Sequence, residues 1–341
     1  MLRLISEIED FKGSWRNITT LAPQRLDSLK RIATIESIGS STRIEGSKLS
    51  DQEVETLLGR LELTAFTSRD EQEVGGYAEV MVAIFDSYKE IAISENYIKQ
   101  LHTMLLQYST KDARHRGEYK KVSNSVEAFN TEGKSVGVIF ETATPFETPL
   151  RMQELVYWTR ETLTDNSLHP LIVIGLFVVV FLEIHPFQDG NGRLSRVLTT
   201  LLLLKAGYSY VPYSSLESVI EQHKEDYYLA LRRTQGTLKS ELPNLDPWLR
   251  FFLRSLKHQK DSLAMKIKVD SRLEELHPDS LKIIEHLKVA RRITTSEAER
   301  LTLAPRPTVK SRLADLIKRG FVIRHGKGRG AWYGLSQGRD S

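Results

Sequence analysis

The stretch His185-Pro186-Phe187-Gln188-Asp189-Gly190-Asn191-Gly192-Arg193-Leu194-Ser195-Arg196 follows closely on a run of apolar residues at 171–182 (LIVIGLFVVVFL). A helix that is apolar on every side is buried, either in a membrane or at the centre of a packed bundle. Spanning a membrane takes about 20 such residues, so the run predicts a central buried helix in a mainly helical domain. The stretch that follows breaks this helix and starts another. Gly190-Asn191-Gly192 can turn sharply and aim backbone N–H groups at an anion, and the next helix adds its positive dipole end. His185, held still at the end of a rigid helix with an expected pKa near neutral, is placed to accept a proton. Asp189 offers a hard oxygen ligand for Mg²⁺, which would neutralise bridging phosphate charge. Arg193 and Arg196, three apart, project from one face of the first turn towards the same phosphates.

Two other phosphate- or cation-binding loops fail on this stretch. An EF-hand beginning at Asp189 needs glycine at its sixth place and glutamate at its twelfth, and those places hold Leu194 and Thr200. A P-loop needs a Gly-Lys-Ser/Thr that does not follow. Among the 341 residues there is no cysteine. That excludes disulfides, thiolate zinc sites and cysteine nucleophiles, and it suits a reducing cytosol, so a cytoplasmic location away from membranes is expected. The N-terminus, MLRLISEIEDFKG, meets acidic residues too early for a secretory signal. Net charge is +4, but residues 276–341 hold 14 Lys and Arg against 6 Asp and Glu, so the basic character belongs to the C-terminal end.

Outward from the central run, the pattern predicts helices over 29–44, 50–63, 70–91, 95–107, 149–163, 170–184, 192–205, 214–235 and 246–265. Gly46 sits where the first needs a left-handed stop, Ser50 and Glu53 match a capping box, and Pro170 suits a first turn. Between Tyr119 and Pro145 the texture turns β-like, with strands expected at 120–124 and 137–141 and turn residues Asn130 and Gly133 between them. After His277-Pro278-Asp279 come three helices (280–289, 295–301, 307–319) and short strands at 321–324 and 331–333, joined by Gly326-Lys327-Gly328-Arg329-Gly330. That order predicts a winged helix-turn-helix. The division expected is an N-terminal helical region at 1–92, a catalytic core at 93–255, a linker helix at 256–277 and the winged unit at 278–341.

The stretch 185–196 closely resembles the Fic family motif, His-Pro-Phe-x-Asp/Glu-Gly-Asn-Gly-Arg-x-x-Arg, at every specified position. The resemblance implies a Fic-type helical core with a β-hairpin flap, covering roughly residues 30 to 255. It also implies an enzyme that uses ATP and Mg²⁺ to transfer AMP to a Tyr, Thr or Ser hydroxyl of a target protein or of itself. By that resemblance His185 is the general base and Asp189 holds Mg²⁺. Asn191 and the flanking Gly190 and Gly192 form the anion hole, and Leu194 and Ser195 count among the ATP-binding residues. Arg193 binds the outer phosphates, Arg196 grips the γ-phosphate, and Phe187 is a packed anchor. Val138, Ile139, Phe140 and Glu141 look like the flap that pairs with the target's backbone beside ATP. The Met152–Trp158 segment fits the helix after it, although a single Pro145 stands where Pro-Pro is commoner. Tyr227 and Tyr228 resemble paired tyrosines beside the adenine, and Gln235 stands where some members have asparagine. Members that phosphorylate instead tend to lack the glycine and second arginine present here.

Upstream, Ser41-Thr42-Arg43-Ile44-Glu45-Gly46 resembles the family's inhibitory motif, Ser/Thr-x-x-x-Glu-Gly/Asn. That implies that Glu45 pairs with Arg196 and displaces the γ-phosphate, with Ser41 beside it. In some inhibited members the same glutamate positions a water that removes AMP from modified protein, so the reverse reaction stays open. A homodimer is open too. In the C-terminal module, Arg306, Thr308, Lys310 and Ser311 would open a recognition helix and Lys327 and Arg329 would sit on the wing, with Trp332 and Tyr333 beneath it, which suits DNA. Two functional classes therefore stand: an autoinhibited protein adenylyltransferase, and a DNA-binding transcriptional regulator whose Fic domain senses nucleotide or acts only on itself. An intact His185 favours the first, because a pure sensor needs no base.

Overall fold

The computed structural model describes residues 1–18, 23–60, 66–129, 135–274 and 276–336, with backbone alone at 125–141, 269–274 and Arg329. Helices α1 (Leu2–Ile18), α2 (Pro23–Ile44), α3 (Asp51–Leu58), α4 (Arg69–Ser87) and α5 (Glu95–Leu105) precede a hairpin of β1 (Ser125–Phe129) and β2 (Ser135–Glu141). Then come α6 (Thr148–Asp165), α7 (Pro170–Ile184), α8 (Asn191–Lys205), α9 (Leu216–Gln222), α10 (Lys224–Gln235) and α11 (Asp246–Glu274). Two compact units divide the chain, Met1–Leu263 and Ala264–Ser341, with the boundary inside α11. The first takes in both the 1–92 and the 93–255 segments. No helix among the described residues is long and apolar enough to cross a membrane.

Helix α7 is the centre of the first unit. Leu171, Val173, Ile174, Phe177, Val179, Phe181 and Ile184 are each at most 1% exposed, and burying such a side chain stabilises by about 1.5–3 kcal/mol. It packs against α6, α8 and α10. At Gly175 an added Cβ would press on Leu249 and Phe252, and the Gly175 carbonyl accepts a 2.6 Å bond from Trp248 Nε1. Glycine there lets α11 approach the central helix closely. Helix α2 lies on α4, α8 and α9. Helix α1, outside the predicted set, buries Ile8, Phe11 and Trp15, with Trp15 5.0 Å from the Tyr213 ring.

Two expectations need correction. The segment 214–235 is not one helix. At His223 the Nδ1 bonds the Val219 carbonyl at 2.9 Å, taking the acceptor that its own backbone N–H would use. Helix α9 ends there and α10 restarts. The first strand of the hairpin is 125–129, not 120–124. Backbone N–H of Lys120 goes instead to the Pro186 carbonyl at 2.8 Å, and Asn124 bonds the Phe187 carbonyl at 2.9 Å, so this segment is spent on the motif loop. The strands are antiparallel, with Ser125 opposite Glu141, Val126 opposite Phe140 and Glu127 opposite Val138, leaving Ile139 as the extra residue of a bulge. Asn130 and Gly133 lie outside the described residues.

The second unit holds α12 (Pro278–Ala290), β3 (Ile293–Thr294), α13 (Thr295–Thr302), α14 (Arg306–Lys318), β4 (Val322–His325) and β5 (Trp332–Leu335). Its sheet is antiparallel in the order β3-β5-β4, a winged helix-turn-helix with its own core of Ile283, Leu287, Ile293, Val309, Leu313, Leu316 and Val322. Tyr333 is buried in that core, while Trp332 stacks on His325 with ring centroids 4.0 Å apart.

Candidate active site

The motif loop is stitched from within. Helix α7 stops at His185, which takes a left-handed conformation (φ 53°), unusual for a residue with a side chain. Its N–H still bonds the Phe181 carbonyl at 2.9 Å, and Pro186 cannot continue the helix. Asn191 then closes the loop on itself: its Oδ1 accepts from Phe187 N–H at 2.9 Å and its Nδ2 donates to the Phe187 carbonyl at 2.7 Å. The amide side chain is therefore occupied, and its backbone N–H is what Asn191 can offer an anion. Phe187 is fully buried and stacks on His102 with centroids 3.8 Å apart. Gly190 (φ 79°) caps α8, where a left-handed residue is needed and glycine supplies it without strain.

An anion already lies in the cradle so formed. A Cβ built on Gly192 would fall on the Glu45 carboxylate, so Glu45 sits against the N-terminal turn of α8, where backbone N–H groups and the helix dipole favour negative charge. Arg196 donates to Glu45 Oε1 from Nη2 at 2.8 Å, to the Ser41 hydroxyl from Nε at 2.8 Å and to the Ser41 carbonyl at 3.0 Å. Its Nη1 is buried with no partner among the described residues. Burial alone would raise the Glu45 pKa, but Arg196, Arg193 and His185 together hold it below the usual carboxylate value. Gly46 at φ 109° turns the chain away after Glu45.

His185 is half-buried. Its Nδ1 lies 3.2 Å from the Leu182 carbonyl. A carbonyl only accepts, so this contact assigns the proton to Nδ1 and leaves Nε2 as the basic nitrogen. Burial pulls the pKa down to about 4, with Lys120 acting in the same direction and Leu182, Glu45 and Asp189 opposing. The expected near-neutral value is thus corrected downward: desolvation outweighs the nearby negative charges.

Asp189 faces Arg193 Nη2 through one oxygen and Arg69 Nη2 through the other, each at 3.3 Å. Burial raises its pKa, yet Arg193, the Gly190 N–H and Arg69 bring it below the ordinary value. Among the described residues no three His, Cys, Asp or Glu converge as a metal cage. One ionised carboxylate fits a Mg²⁺ shared with substrate phosphates, the usual manner of that ion. Arg193 is 2% exposed and also reaches Glu73 at 3.3 Å. Leu194 and Ser195 are buried, and the Leu194 N–H is spent on the Gly190 carbonyl at 2.9 Å, so the expected part of these two in ATP binding has no side chain or Leu194 N–H behind it; the Ser195 hydroxyl bonds the Gly192 carbonyl at 2.7 Å. Tyr227 is buried and Tyr228 half-buried, their rings 5.1 Å apart. Burial raises the Tyr227 pKa, with Arg196 and Ser195 opposing. Gln235 is buried, its Nε2 3.4 Å from the Val179 carbonyl and its Oε1 unpartnered among the described residues. Val138, Ile139, Phe140 and Glu141 form the last part of β2.

Residues 92–203 match the profile of the Fic/DOC family. The chain carries a Fic domain. Two curated relatives are each described as protein adenylyltransferase Fic. The one from Drosophila grimshawi is 28% identical over 225 residues, covering 65% of this chain and 41% of its own length. The one from Drosophila mojavensis is 27% identical over 233 residues, covering 67% and 41%. The chain thus matches about two fifths of the length of these relatives. In fold it is similar to a Fic family protein from Desulfovibrio desulfuricans (TM-score 0.61, 21% identity, 98% of this chain and 95% of that one). It is also similar to a Fic domain containing signaling protein from Bacteroides thetaiotaomicron (TM-score 0.60, 24% identity, 76% and 97%).

Several residues around the Fic motif were invisible to the linear pattern. Arg69 and Glu73 come from α4 and pair at 2.8 Å. His102 accepts from Gly117 N–H at Nδ1 (3.0 Å) and so donates from Nε2 to the Asp189 carbonyl (3.0 Å). It is fully buried, and burial lowers its pKa to about 4. The folded Fic domain therefore refuses a proton that the unfolded chain accepts below about pH 6.5. Stability should fall as pH drops from there towards 4, by about 1.4 kcal/mol per pH unit for such a histidine. Urea midpoints at pH 7.5 and 5.5 check this. A His102→Gln variant, less stable at pH 7.5, should lose less on acidification than wild type.

Proposed function

We propose that this chain is an autoinhibited protein adenylyltransferase, moving AMP from Mg-ATP to a Tyr, Thr or Ser hydroxyl of a partner protein or of itself. One observation carries the reading: a neutral histidine with a basic Nε2 stands beside an anion cradle that the chain now fills with its own carboxylate, Glu45. In the reaction, His185 takes the proton of the attacking hydroxyl, the oxygen bonds the α-phosphorus, and pyrophosphate leaves. The N-terminal turn of α8 and Arg193 hold the phosphate oxygens, and Arg196 holds the γ-phosphate once Glu45 withdraws. Asp189 would hold Mg²⁺, which would supply charge neutralisation for the phosphates. Tyr227, Tyr228 and Gln235 serve the adenine side, and β2 receives the target as an added strand.

The test is ATP labelled at the α or the γ phosphate, offered with Mg²⁺ to the Glu45→Gly protein. Label arriving from the α position supports AMP transfer. Label from γ would make the protein a kinase, and none from either, with cell lysate also present, would turn the reading to the nucleotide-sensing regulator. For the second unit, exposed Lys310 and Ser311 on α14 and Arg324 and Lys327 at the wing support contact with nucleic-acid phosphates. A gel shift on duplex DNA that weakens steeply with salt is expected, and a salt-insensitive or absent shift would argue against it.

A further inference from the structure

A buried lysine joins the hairpin to the catalytic loop. Lys120 is 3% exposed, yet its ammonium makes no hydrogen bond to a carboxylate among the described residues. Its three donors go to neutral oxygens: Asn124 Oδ1 at 2.8 Å, the Thr142 hydroxyl at 2.9 Å and the Ile184 carbonyl at 3.0 Å. An ammonium has three N–H groups, so the set is complete. Burying a cation among neutral partners is costly, and a well-packed apolar side chain at such a site is often as stable or more so. Burial pulls the Lys120 pKa down to about 8, with Glu183 opposing, which leaves it mostly charged at neutral pH.

The partners share a location. Asn124 and Thr142 flank the hairpin, immediately before Ser125 and after Glu141, and are its two feet. The Thr142 hydroxyl reaches the Asn124 carbonyl at 2.6 Å, which ties the feet together. Ile184 is the last residue of α7, directly before His185. The same cluster also holds the Pro186 carbonyl through Lys120 N–H and the Phe187 carbonyl through Asn124. Three carbonyls around His185 are therefore fastened to the base of the hairpin.

We propose that Lys120 is a positioning residue for AMP transfer, fixing the feet of the hairpin against Ile184 so that a hydroxyl presented along β2 arrives within reach of His185. The inference rests on the adenylyltransferase reading above. It places Lys120 outside the phosphate cradle, so its loss acts on the transfer step and leaves ATP binding alone. Displacements on the order of 1 Å at a reacting centre can cost about 10²-fold in rate.

The experiment uses the full chain in the Glu45→Gly background, with single-turnover self-modification from α-labelled ATP followed against ATP concentration. Lys120→Met, of similar length without the charge or donors, should lower the limiting rate by about 10- to 100-fold while half-saturation by ATP stays within about twofold. Lys120→Arg, which restores a cation with donors, should recover much of that rate, and Thr142→Val should lose a smaller part. A limiting rate for Lys120→Met within twofold of its parent would overturn the proposal. So would a loss matched by weaker ATP binding and not recovered by arginine, since that marks a merely structural lysine. Where Lys120→Met fails to fold, the Lys120→Arg and Thr142→Val rates decide: unchanged rates in Thr142→Val reject it, and a rate loss with unchanged ATP half-saturation upholds it. Absence of α-label transfer in the Glu45→Gly parent is a different failure, that of the underlying reading.

Discussion

Replacing Glu45 with glycine is expected to raise AMP incorporation by on the order of 10²-fold at saturating Mg-ATP, the scale of correcting a misaligned reactant. In the wild type the Glu45 carboxylate lies on Gly192 and holds Arg196 Nη2, so under the proposed function an incoming triphosphate would meet negative charge where its own charge should rest. The substitution has a second, separable consequence. It strands a guanidinium that is 4% exposed and retains its two Ser41 contacts. Breaking one side of a buried ion pair typically costs about 3–5 kcal/mol. Glu45 is a third exposed and Ser41 remains in place, so the low end of that range applies. The variant should therefore melt below wild type without nucleotide and gain more from Mg-ATP than wild type does, because the γ-phosphate replaces the lost partner. Thermal melts with and without Mg-ATP, run beside the labelling assay, check both halves. Equal labelling of wild type and Glu45→Gly would remove the inhibitory assignment, and a loss of stability that Mg-ATP does not repair would remove Arg196 as a γ-phosphate ligand.

What the sequence disclosed and what it hid divide along a physical line. The helix at 170–184, the turn at 190–192 and the Ser50–Glu53 capping box are written in short-range terms: an apolar run, glycines, a residue three places on. The capping box forms as read, with Ser50 and Glu53 bonding reciprocally. The pairing of Arg196 with Ser41 and Glu45 spans about 150 residues, yet the resemblance to a known inhibitory motif pointed to it. Arg69, Glu73, His102 and Lys120 had no such pointer. Arg69, Glu73 and His102 reach the loop by packing of a distant helix and Lys120 from the connection between α5 and β1, and each looks locally like a solvated polar residue. Lys120 shows the difficulty best: Lys120-Lys121-Val122-Ser123-Asn124 reads as a strand, and only the fold reveals that its first lysine is buried under the histidine loop.

Converting His185 to alanine in the Glu45→Gly background should lower AMP transfer by about 10²- to 10⁴-fold, the usual contribution of a general base, while ATP binding persists, since the cradle is built from α8. The pH dependence sharpens this assignment. With Nδ1–H committed to Leu182 and the pKa near 4, the imidazole of the free protein is in its basic form throughout the physiological range. The rate in kcat/KM, which reports the free enzyme, should therefore stay level as pH falls through 6.5 and decline only towards 4. Losing Glu45 removes one of the negative charges that raise this pKa, so the variant cannot move the limb upward. Bound ATP acts the other way. Its phosphates bring negative charge beside the ring, favour the imidazolium and should lift the limb in kcat above that in kcat/KM. Such a shift also makes the base stronger at the moment it is used, which offsets the weak proton affinity of a histidine at pKa 4. A kcat/KM limb near 6.5 would mean an ordinary solvated imidazole. Coincident limbs in the two profiles would mean that the phosphates do not lie beside His185, and the base would have to be sought elsewhere.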